Sequence, residues 1–330
     1  MKTLAICVPT YRRPAMLRRC VLSAIASAGA HPIRIFIADD SVSDVNLDVL
    51  GELARVYPFV TWKRNGANLG IDRNIQHVLS MSDCDHNWLI GEDDQFLPGA
   101  VAQMFELIQR HPHPFIFSNY HYASEDLSRV LGVALTSETD GERASARFIE
   151  DALWSVGFIG STVVERAAWN ATSAAPYEGT YFTHVGRVVD LLSRHPTLYV
   201  SAAPAVANRA QGDDTFTWKK DAFGVFLGFE RMCRIAADRN PSLRTAVQQA
   251  ARNYRRRFAY FSVKTTFRLR SEGAFDLRQF RAYVASCDIE AWRKAWLLLL
   301  AITPQTLIKP LARAYIAFAD RRRQRAVTAG

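Results

Sequence analysis

Trp88-Leu89-Ile90-Gly91-Glu92-Asp93-Asp94 joins a short apolar run to three consecutive carboxylates. The run reads as a buried strand. Acidic side chains are seldom buried unless they are paired or hold a cation. A carboxylate cluster at the end of such a strand therefore points to a bound cation, and hard oxygen ligands favour Mg²⁺ or Mn²⁺. Taken alone, the same stretch also fits an acidic turn whose Asp and Glu cap the next helix. The surrounding chain decides between the two.

Outward from this stretch the pattern alternates. Leu4-Ala5-Ile6-Cys7-Val8 is an apolar run ended by Pro9. Pro14 suits a first helical turn, and Leu17, Cys20, Val21, Ala24 and Ile25 recur at helical spacing. Ile33-Arg34-Ile35-Phe36-Ile37-Ala38 predicts a second strand, ended by Asp39-Asp40-Ser41. A helix over about 46–56, a strand at 59–62, a turn at Asn68-Leu69-Gly70 and a helix over 71–81 follow. After Trp88 to Ile90, Pro98 opens a helix to about 110, and Phe115-Ile116-Phe117-Ser118 is a fifth strand. Strands alternating with helices of this length predict an α/β fold with a mainly parallel sheet flanked by helices. Ligands bind such sheets at the carboxyl ends of the strands. Three of those ends carry polar groups here: Thr10 to Arg13, Asp39 to Ser41 and Glu92 to Asp94.

The middle of the chain is less regular. Val163-Val164 and Leu198-Tyr199-Val200 predict strands, and 149–154 and 185–192 predict helices. From about Thr217 the pattern is nearly all helical. Domains are expected at 1–215 and 216–330.

The 330 residues are 49% hydrophobic and 22% charged, which excludes a disordered chain. Five scattered cysteines without a CxxC pair exclude a disulfide framework and a structural zinc site. No run approaches ~20 apolar residues, so no membrane-spanning helix is expected, and the start is too short in apolar residues for a secretory segment. The net charge of +9 is uneven: residues 1–230 hold 20 Lys and Arg against 26 Asp and Glu, whereas residues 231–330 hold 21 against 6. Such asymmetry predicts an anionic partner for the last third. Trp292, Trp296 and Leu297 to Leu300 lie beside Arg293, Lys294 and Lys309, and Arg321-Arg322-Arg323 follows Tyr315, Ile316 and Phe318. No nucleic-acid motif is present, so a lipid headgroup layer is the expected surface. A helical subdomain with a solvated basic face is the alternative.

Taken together, the strand ends resemble family 2 glycosyltransferases of the GT-A fold over about residues 1–215. Val8-Pro9-Thr10-Tyr11-Arg12-Arg13-Pro14 is similar to the family's V-P-T-Y-N-R opening, with Arg12 in place of Asn. Ile37 to Asp44 is similar to its V-D-D-G-S-x-D turn, with Ser41 in place of Gly. Asn68-Leu69-Gly70-Ile71-Asp72-Arg73-Asn74 is similar to its N-x-G-x-x-x-N stretch, and Glu92-Asp93-Asp94 stands where the family has its D-x-D metal motif. The pattern is nearest to bacterial O-antigen enzymes of the abequosyltransferase type, with Glu92 replacing a Ser.

The resemblance implies an inverting, Mn²⁺- or Mg²⁺-dependent enzyme with a nucleotide-sugar donor. Its acceptor would be a polyprenyl-diphosphate-linked saccharide at the cytoplasmic face of the inner membrane, in surface polysaccharide synthesis. It assigns Pro9, Thr10, Tyr11, Arg13, Asp39, Asp40, Asn68, Arg73, Asp93 and Arg209 to the nucleotide sugar, and Asp94 and Glu92 to the metal. Asp39 is expected to accept from the base, with Pro9 and Tyr11 as walls. Arg209, in a polar loop with Asp213 and Asp214, is expected to meet phosphate, or else to pair within its loop. The family's E-D pair at a helix start is missing. His184, then Asp190, then Glu178 are the expected general bases. A dehydrogenase is excluded because the first strand lacks G-x-G-x-x-G. A nucleotidyltransferase or a non-catalytic scaffold on the same sheet is the competing expectation.

Overall fold

The structure is a computed structural model that describes residues 1–136, 138–209, 221–285, 287, 289–312, 314 and 315. Asp213, Asp214, Ile316, Phe318 and Arg321-Arg322-Arg323 lie outside the described residues. The chain divides into two compact units, 1–215 with 232–251, and 216–231 with 252–330.

In chain order the first unit holds β1 (Leu4–Thr10), α1 (Pro14–Ala28), β2 (Ile33–Asp39), α2 (Leu47–Val56), β3 (Val60–Arg64), α3 (Ile71–Met81), β4 (His86–Leu89), β5 (Gln95–Phe96) and α4 (Ala100–Arg110). There follow β6 (Phe115–Ala123), β7 (Val130–Val133), β8 (Gly141–Ala144), α5 (Ser145–Ala152), β9 (Thr162–Glu165), α6 (Arg166–Asn170), α7 (Thr183–Leu192) and β10 (Thr197–Arg209). The sheet order is β3-β2-β1-β4-β9-β6-β10-β5, with β7 on β6 and β8 on β10.

β1 is buried at all seven positions, as a central strand covered on both faces must be. β3 alternates between buried and open positions, as an edge strand does. From β3 to β4 every pairing is parallel. Beyond β4 the sheet is mixed. β9, from far later in the chain, inserts antiparallel between β4 and β6, and β6 then pairs parallel with β10. Apolar runs locate strands but carry no information on their neighbours, so this insertion was not predictable from them. β4 also starts earlier than its apolar run, because His86 and Asn87 are buried too.

The parallel half places the site. Thr10 pairs with Asp39, and the Asp40 amide donates to the Thr10 carbonyl at 2.9 Å. Cys7 pairs with Leu89, and the Ile90 amide donates to the Cys7 carbonyl at 3.1 Å. The ends of β1, β2 and β4 therefore share one rim. Trp88 anchors β4 beneath it: its indole Nε1 donates to the Gly160 carbonyl at 2.8 Å, and its ring meets Phe96 edge-on at 4.7 Å.

α7 is buried along all ten residues, polar ones included. Arg187 spreads its guanidinium over the Trp169 ring, 3.9 Å from the centroid, and donates to the Trp169 carbonyl, Thr172 and Gln76. Asp190 accepts from the Tyr177 hydroxyl and from Asn240 Nδ2, each at 2.7 Å, and pairs with Arg239 at 3.4 Å. Gly186 lets the Tyr177 ring lie flat on the helix, since an added Cβ would stand 2.4 Å from Cδ1 of that ring.

The second unit is helical. It draws on α8 (Ala222–Arg239) and α9 (Arg244–Phe258), then holds α10 (Val263–Ser271), α11 (Leu277–Gln279), α12 (Ala291–Ile302) and α13 (Gln305–Ala312). Its interior is aromatic, with Phe229 stacked on Tyr254 at 3.9 Å and Phe226 on Tyr260 at 5.0 Å. Among the described residues no single helix is long and apolar enough to cross a membrane.

Gly186→Ala tests the packing under α7. The added methyl must push Tyr177 away from Asp190, so equilibrium urea unfolding should show a loss of about 1–3 kcal/mol. Unchanged stability would contradict the tight approach.

Candidate functional site

Asp39 closes β2 with no exposed surface. Its Oδ1 is saturated: the Ser41 amide donates at 3.1 Å, the Ser41 hydroxyl at 2.6 Å and Asn46 Nδ2 at 2.9 Å. Its Oδ2 is buried and has no hydrogen-bond partner, and neither has the neighbouring Thr10 Oγ1. A buried carboxylate oxygen left without a donor is costly, so Asp39 is an incompletely satisfied acceptor at the end of β2.

Ser41 does more than occupy a turn. While donating to Asp39, its hydroxyl accepts from the Arg12 amide at 2.8 Å and from Asn46 Nδ2 at 3.1 Å. It thus ties the end of β1 to the end of β2. Arg12 sits in the left-handed region at φ 58°, which glycine and asparagine tolerate and arginine does not favour. Tyr11 beside it is half-buried, with the Arg12 guanidinium 5.8 Å from its ring centroid.

Asp40 points the other way. Its Oδ1 accepts from Asn65 Nδ2 at 2.8 Å and the Leu69 amide at 2.7 Å, and its Oδ2 accepts from the Gly70 amide at 2.9 Å. Its carboxylate holds the turn before α3, and Asn68 Oδ1 supports the same Gly70 amide at 2.9 Å. Asn74, the last residue of the N-x-G-x-x-x-N stretch, donates to the Ala38 carbonyl at 3.1 Å and the Thr10 carbonyl at 3.5 Å. That clamps α3 onto the rim.

The three carboxylates lie in the turn after β4. Gly91 leaves room for them there, since an added Cβ would stand 2.8 Å from Asp94 Oδ2 and 3.2 Å from Asp93 Oδ1 and would push those carboxylates aside. Both aspartates thus turn an oxygen to the same side of Gly91. Asp94 is 5% exposed, and its Oδ1 accepts from the Arg209 amide at 2.9 Å. Burial pushes its carboxyl well above the usual range, helped by the charge of Asp93. Burial and Asp93 likewise raise Glu92 to about 8, against the pull of Arg13. Arg13 reaches Asp93 Oδ2 at 3.0 Å and Glu92 Oε1 at 3.4 Å. Among the described residues no three His, Cys, Asp or Glu side chains converge on one point. A divalent ion at a phosphate site commonly takes only one or two carboxylates, the rest coming from phosphate and water. Asp94 with Asp93, and Glu92 beside them, fit that donor set, and a cation there would offset the burial and the repulsion that raise Glu92 and Asp94.

Arg209 contributes its amide to this cluster directly, and its guanidinium charge draws the Asp94 carboxyl down against burial. The side chain donates from Nε to the Glu125 carbonyl at 2.8 Å and pairs with Glu125 Oε1 at 3.1 Å.

The three base candidates are dispersed. His184 is 2% exposed, with Nε2 3.0 Å from the Val156 carbonyl, and burial lowers its pKa. Asp190 lies inside the Tyr177–Asn240–Arg239 network. Glu178 is open to solvent and pairs with Arg73 at 2.9 Å. Asp72, absent from the sequence-based set, joins this region to the rim. From the first turn of α3 it accepts the amides of Gly179 at 3.1 Å, Tyr181 at 3.0 Å and Thr183 at 3.2 Å. Tyr181 is held at φ 65° within that loop. A carboxylate two residues past a glycine turn is an ordinary helix-start residue, so no pattern marked it.

This rim, with its parallel half-sheet and carboxylate turn, falls within a stretch that matches a known family. Residues 5–146 match the family model Glycosyl transferase family 2, and this part of the chain is a domain of that family. The chain is 24% identical over 283 residues to the abequosyltransferase RfbV of Salmonella typhimurium, spanning 74% of this chain and 78% of that one. Its fold is that of S. aureus TarS 1-349, with TM-score 0.59, 10% identity and 94% and 91% of the two chains covered. The complex of TarS 1-349 with UDP-GlcNAc aligns with TM-score 0.56 at 12% identity, covering 94% and 92%.

Two outcomes follow from the rim. Arg12→Asn relieves the left-handed backbone and should raise unfolding stability by up to about 1 kcal/mol; a loss instead would show that the arginine side chain outweighs the strain. In metal-free buffer the folded state keeps the Glu92 proton that the unfolded chain has already released. Stability should therefore fall as pH rises from about 4 towards about 8, with the raised Asp94 carboxyl adding to the decline, and Glu92→Gln should reduce its slope. A decline of the same slope in that variant would remove Glu92 as its cause.

Proposed function

We propose that the protein is an inverting, metal-dependent glycosyltransferase that moves a sugar from a nucleotide-sugar donor to a lipid-linked saccharide acceptor. The observation that carries this is the buried, donor-less Asp39 Oδ2 on the same rim as the Glu92-Asp93-Asp94 turn. In this reading Asp39 accepts from an N–H of the nucleotide base, while Pro9, Thr10 and Tyr11 form the base wall. Asp94 and Asp93 hold Mn²⁺ or Mg²⁺, with Glu92 beside them. When bound, the ion neutralises the charge that grows on the departing nucleoside diphosphate. Arg13 sits against the same carboxylates and keeps their negative charge bounded. The UDP-GlcNAc complex of TarS supports this donor class, and the likeness to RfbV supports O-antigen-type chemistry.

The acceptor hydroxyl attacks the anomeric carbon opposite the diphosphate, and a base takes its proton. Accessibility reverses the order drawn from the sequence. His184 and Asp190 are buried with internal partners, whereas Glu178 presents a carboxylate to solvent on the loop that Asp72 ties to the rim. We therefore place Glu178 first, with Arg73 paired to its carboxylate at 2.9 Å and fixing its direction. Asp40 and Asn68 shape the turn that carries α3, and Arg209 serves the site through its backbone. A polyprenyl diphosphate as the acceptor's lipid places the reaction at the cytoplasmic face of the inner membrane.

Thermal-shift titration with UDP, GDP, CDP and dTDP, each with and without Mn²⁺, tests the donor site. One diphosphate should stabilise the protein, more strongly with the ion. Asp39→Asn, which puts a donor where an acceptor is needed, should weaken that binding by about 10- to 100-fold. No response to any of the four would remove the donor reading. Glu178→Gln should cut kcat by about 100-fold or more while leaving diphosphate binding intact. Near-normal turnover would return the base to Asp190 or His184.

A further inference from the structure

α12 is amphipathic in an unusual sense, because both of its faces are apolar. Leu297, Leu300 and Ala301 are buried in the second unit. Trp292, Leu299 and Ile302, spaced seven and three apart on the opposite face, are 63%, 55% and 57% exposed. α13 repeats the arrangement: Ile308 and Ala312 are buried, while Leu307 and Leu311, four apart, are each 59% exposed. The two helices meet at 114°. The bend has a local cause, since Pro304 cannot continue α12 and forces Thr303 into extended backbone, φ −66° and ψ 132°.

A stripe of large exposed side chains on two successive helices needs an occupant. Charge selects it. Residues 231–330 carry 21 Lys and Arg against 6 Asp and Glu; Arg293 lies 5.2 Å from the Trp292 ring and pairs with Glu290 at 3.2 Å, Lys294 donates to the Ala285 carbonyl at 3.2 Å, and Lys309 is exposed on α13. A second copy would bring the same excess of positive charge against itself, and a nucleic acid offers nothing to Leu and Ile side chains. An anionic lipid surface satisfies both demands, taking apolar side chains below its headgroups and cations among them. The length also fits a helix lying in the surface. Twelve residues span about 18 Å, well short of the ~30 Å hydrocarbon core.

We propose that Trp292, Leu299 and Ile302 of α12 and Leu307 and Leu311 of α13 form the face by which the protein docks shallowly on an anionic bilayer. Arg293, Lys294 and Lys309 supply the headgroup contacts. This rests on the membrane location proposed above and names the surface responsible for it.

Co-flotation of the full chain with vesicles decides it. Wild type should float with phosphatidylcholine vesicles containing phosphatidylglycerol, and much less with pure phosphatidylcholine. Trp292→Gln/Leu299→Gln/Ile302→Gln should weaken anionic-vesicle partitioning by about tenfold or more, and Leu307→Gln/Leu311→Gln should do the same. All five side chains are exposed, so circular dichroism and melting should match wild type; a variant that failed that control would be replaced by Trp292→Gln alone, read by loss of quenching from brominated lipid. Wild-type partitioning in every stripe variant would overturn the face while leaving membrane binding in place. No flotation of wild type would overturn both. If light scattering gave a wild-type dimer that the stripe variants converted to monomer without any flotation, the occupant would be a second copy instead.

Discussion

Buried carboxylates need partners, and the rim of this sheet is built around supplying them. Asp39, Asp40 and Asp94 are each at most 5% exposed. Water has been removed from them, so hydrogen-bond donors must replace it. Asp40 receives three donors and is complete. Asp39 receives three on one oxygen and none on the other. Asp94 receives the Arg209 amide on one oxygen and turns the other toward Gly91, where Asp93 also points. The completed carboxylate holds architecture, and the incomplete ones keep acceptor capacity at the rim. This difference in satisfaction, rather than residue type, separates Asp39 from its neighbour Asp40.

The departures from the family pattern are coupled through one hydroxyl. Where the family has Asn, Arg12 adopts a left-handed backbone that costs arginine about 1 kcal/mol or more. Where the family has Gly, Ser41 accepts the Arg12 amide and donates to Asp39. A glycine there would leave that amide without its acceptor and Asp39 Oδ1 without its shortest bond. The serine thus offsets part of the strain next door while orienting the carboxylate that faces the base. Glu92 is the third departure, and burial, with Asp93 beside it, raises its pKa.

The parallel half of the fold was legible because its strands are continuous apolar runs ended by polar residues, as at Val8-Pro9-Thr10 and Ala38-Asp39-Asp40. The ends of those strands gave the rim and its carboxylates directly. What the sequence left hidden was long-range. Nothing in Thr162 to Glu165 states that this strand slips between β4 and β6, and nothing in Asp72 states that its carboxylate meets amides more than 100 residues away. The burial of the base region was hidden for the same reason. His184 opens a helix, as a solvent-facing base would, but that helix is buried on all sides, and burial is a property of the packing rather than of the helix.

The basic third shows the same limit from the other direction. Its composition allowed two readings, a solvated helical subdomain or a lipid-facing one, because Trp and Leu beside Arg and Lys suit both. Packing divides the apolar residues of α12 and α13 between them. Leu297, Leu300 and Ile308 make a core, as the subdomain reading requires, and Trp292, Leu299, Ile302, Leu307 and Leu311 are surplus to it. A helix that only needed to pack would carry polar residues at those five positions, since exposed apolar side chains gain nothing from water. The two readings are therefore not exclusive: one face of each helix builds the subdomain, and the other is left apolar and exposed.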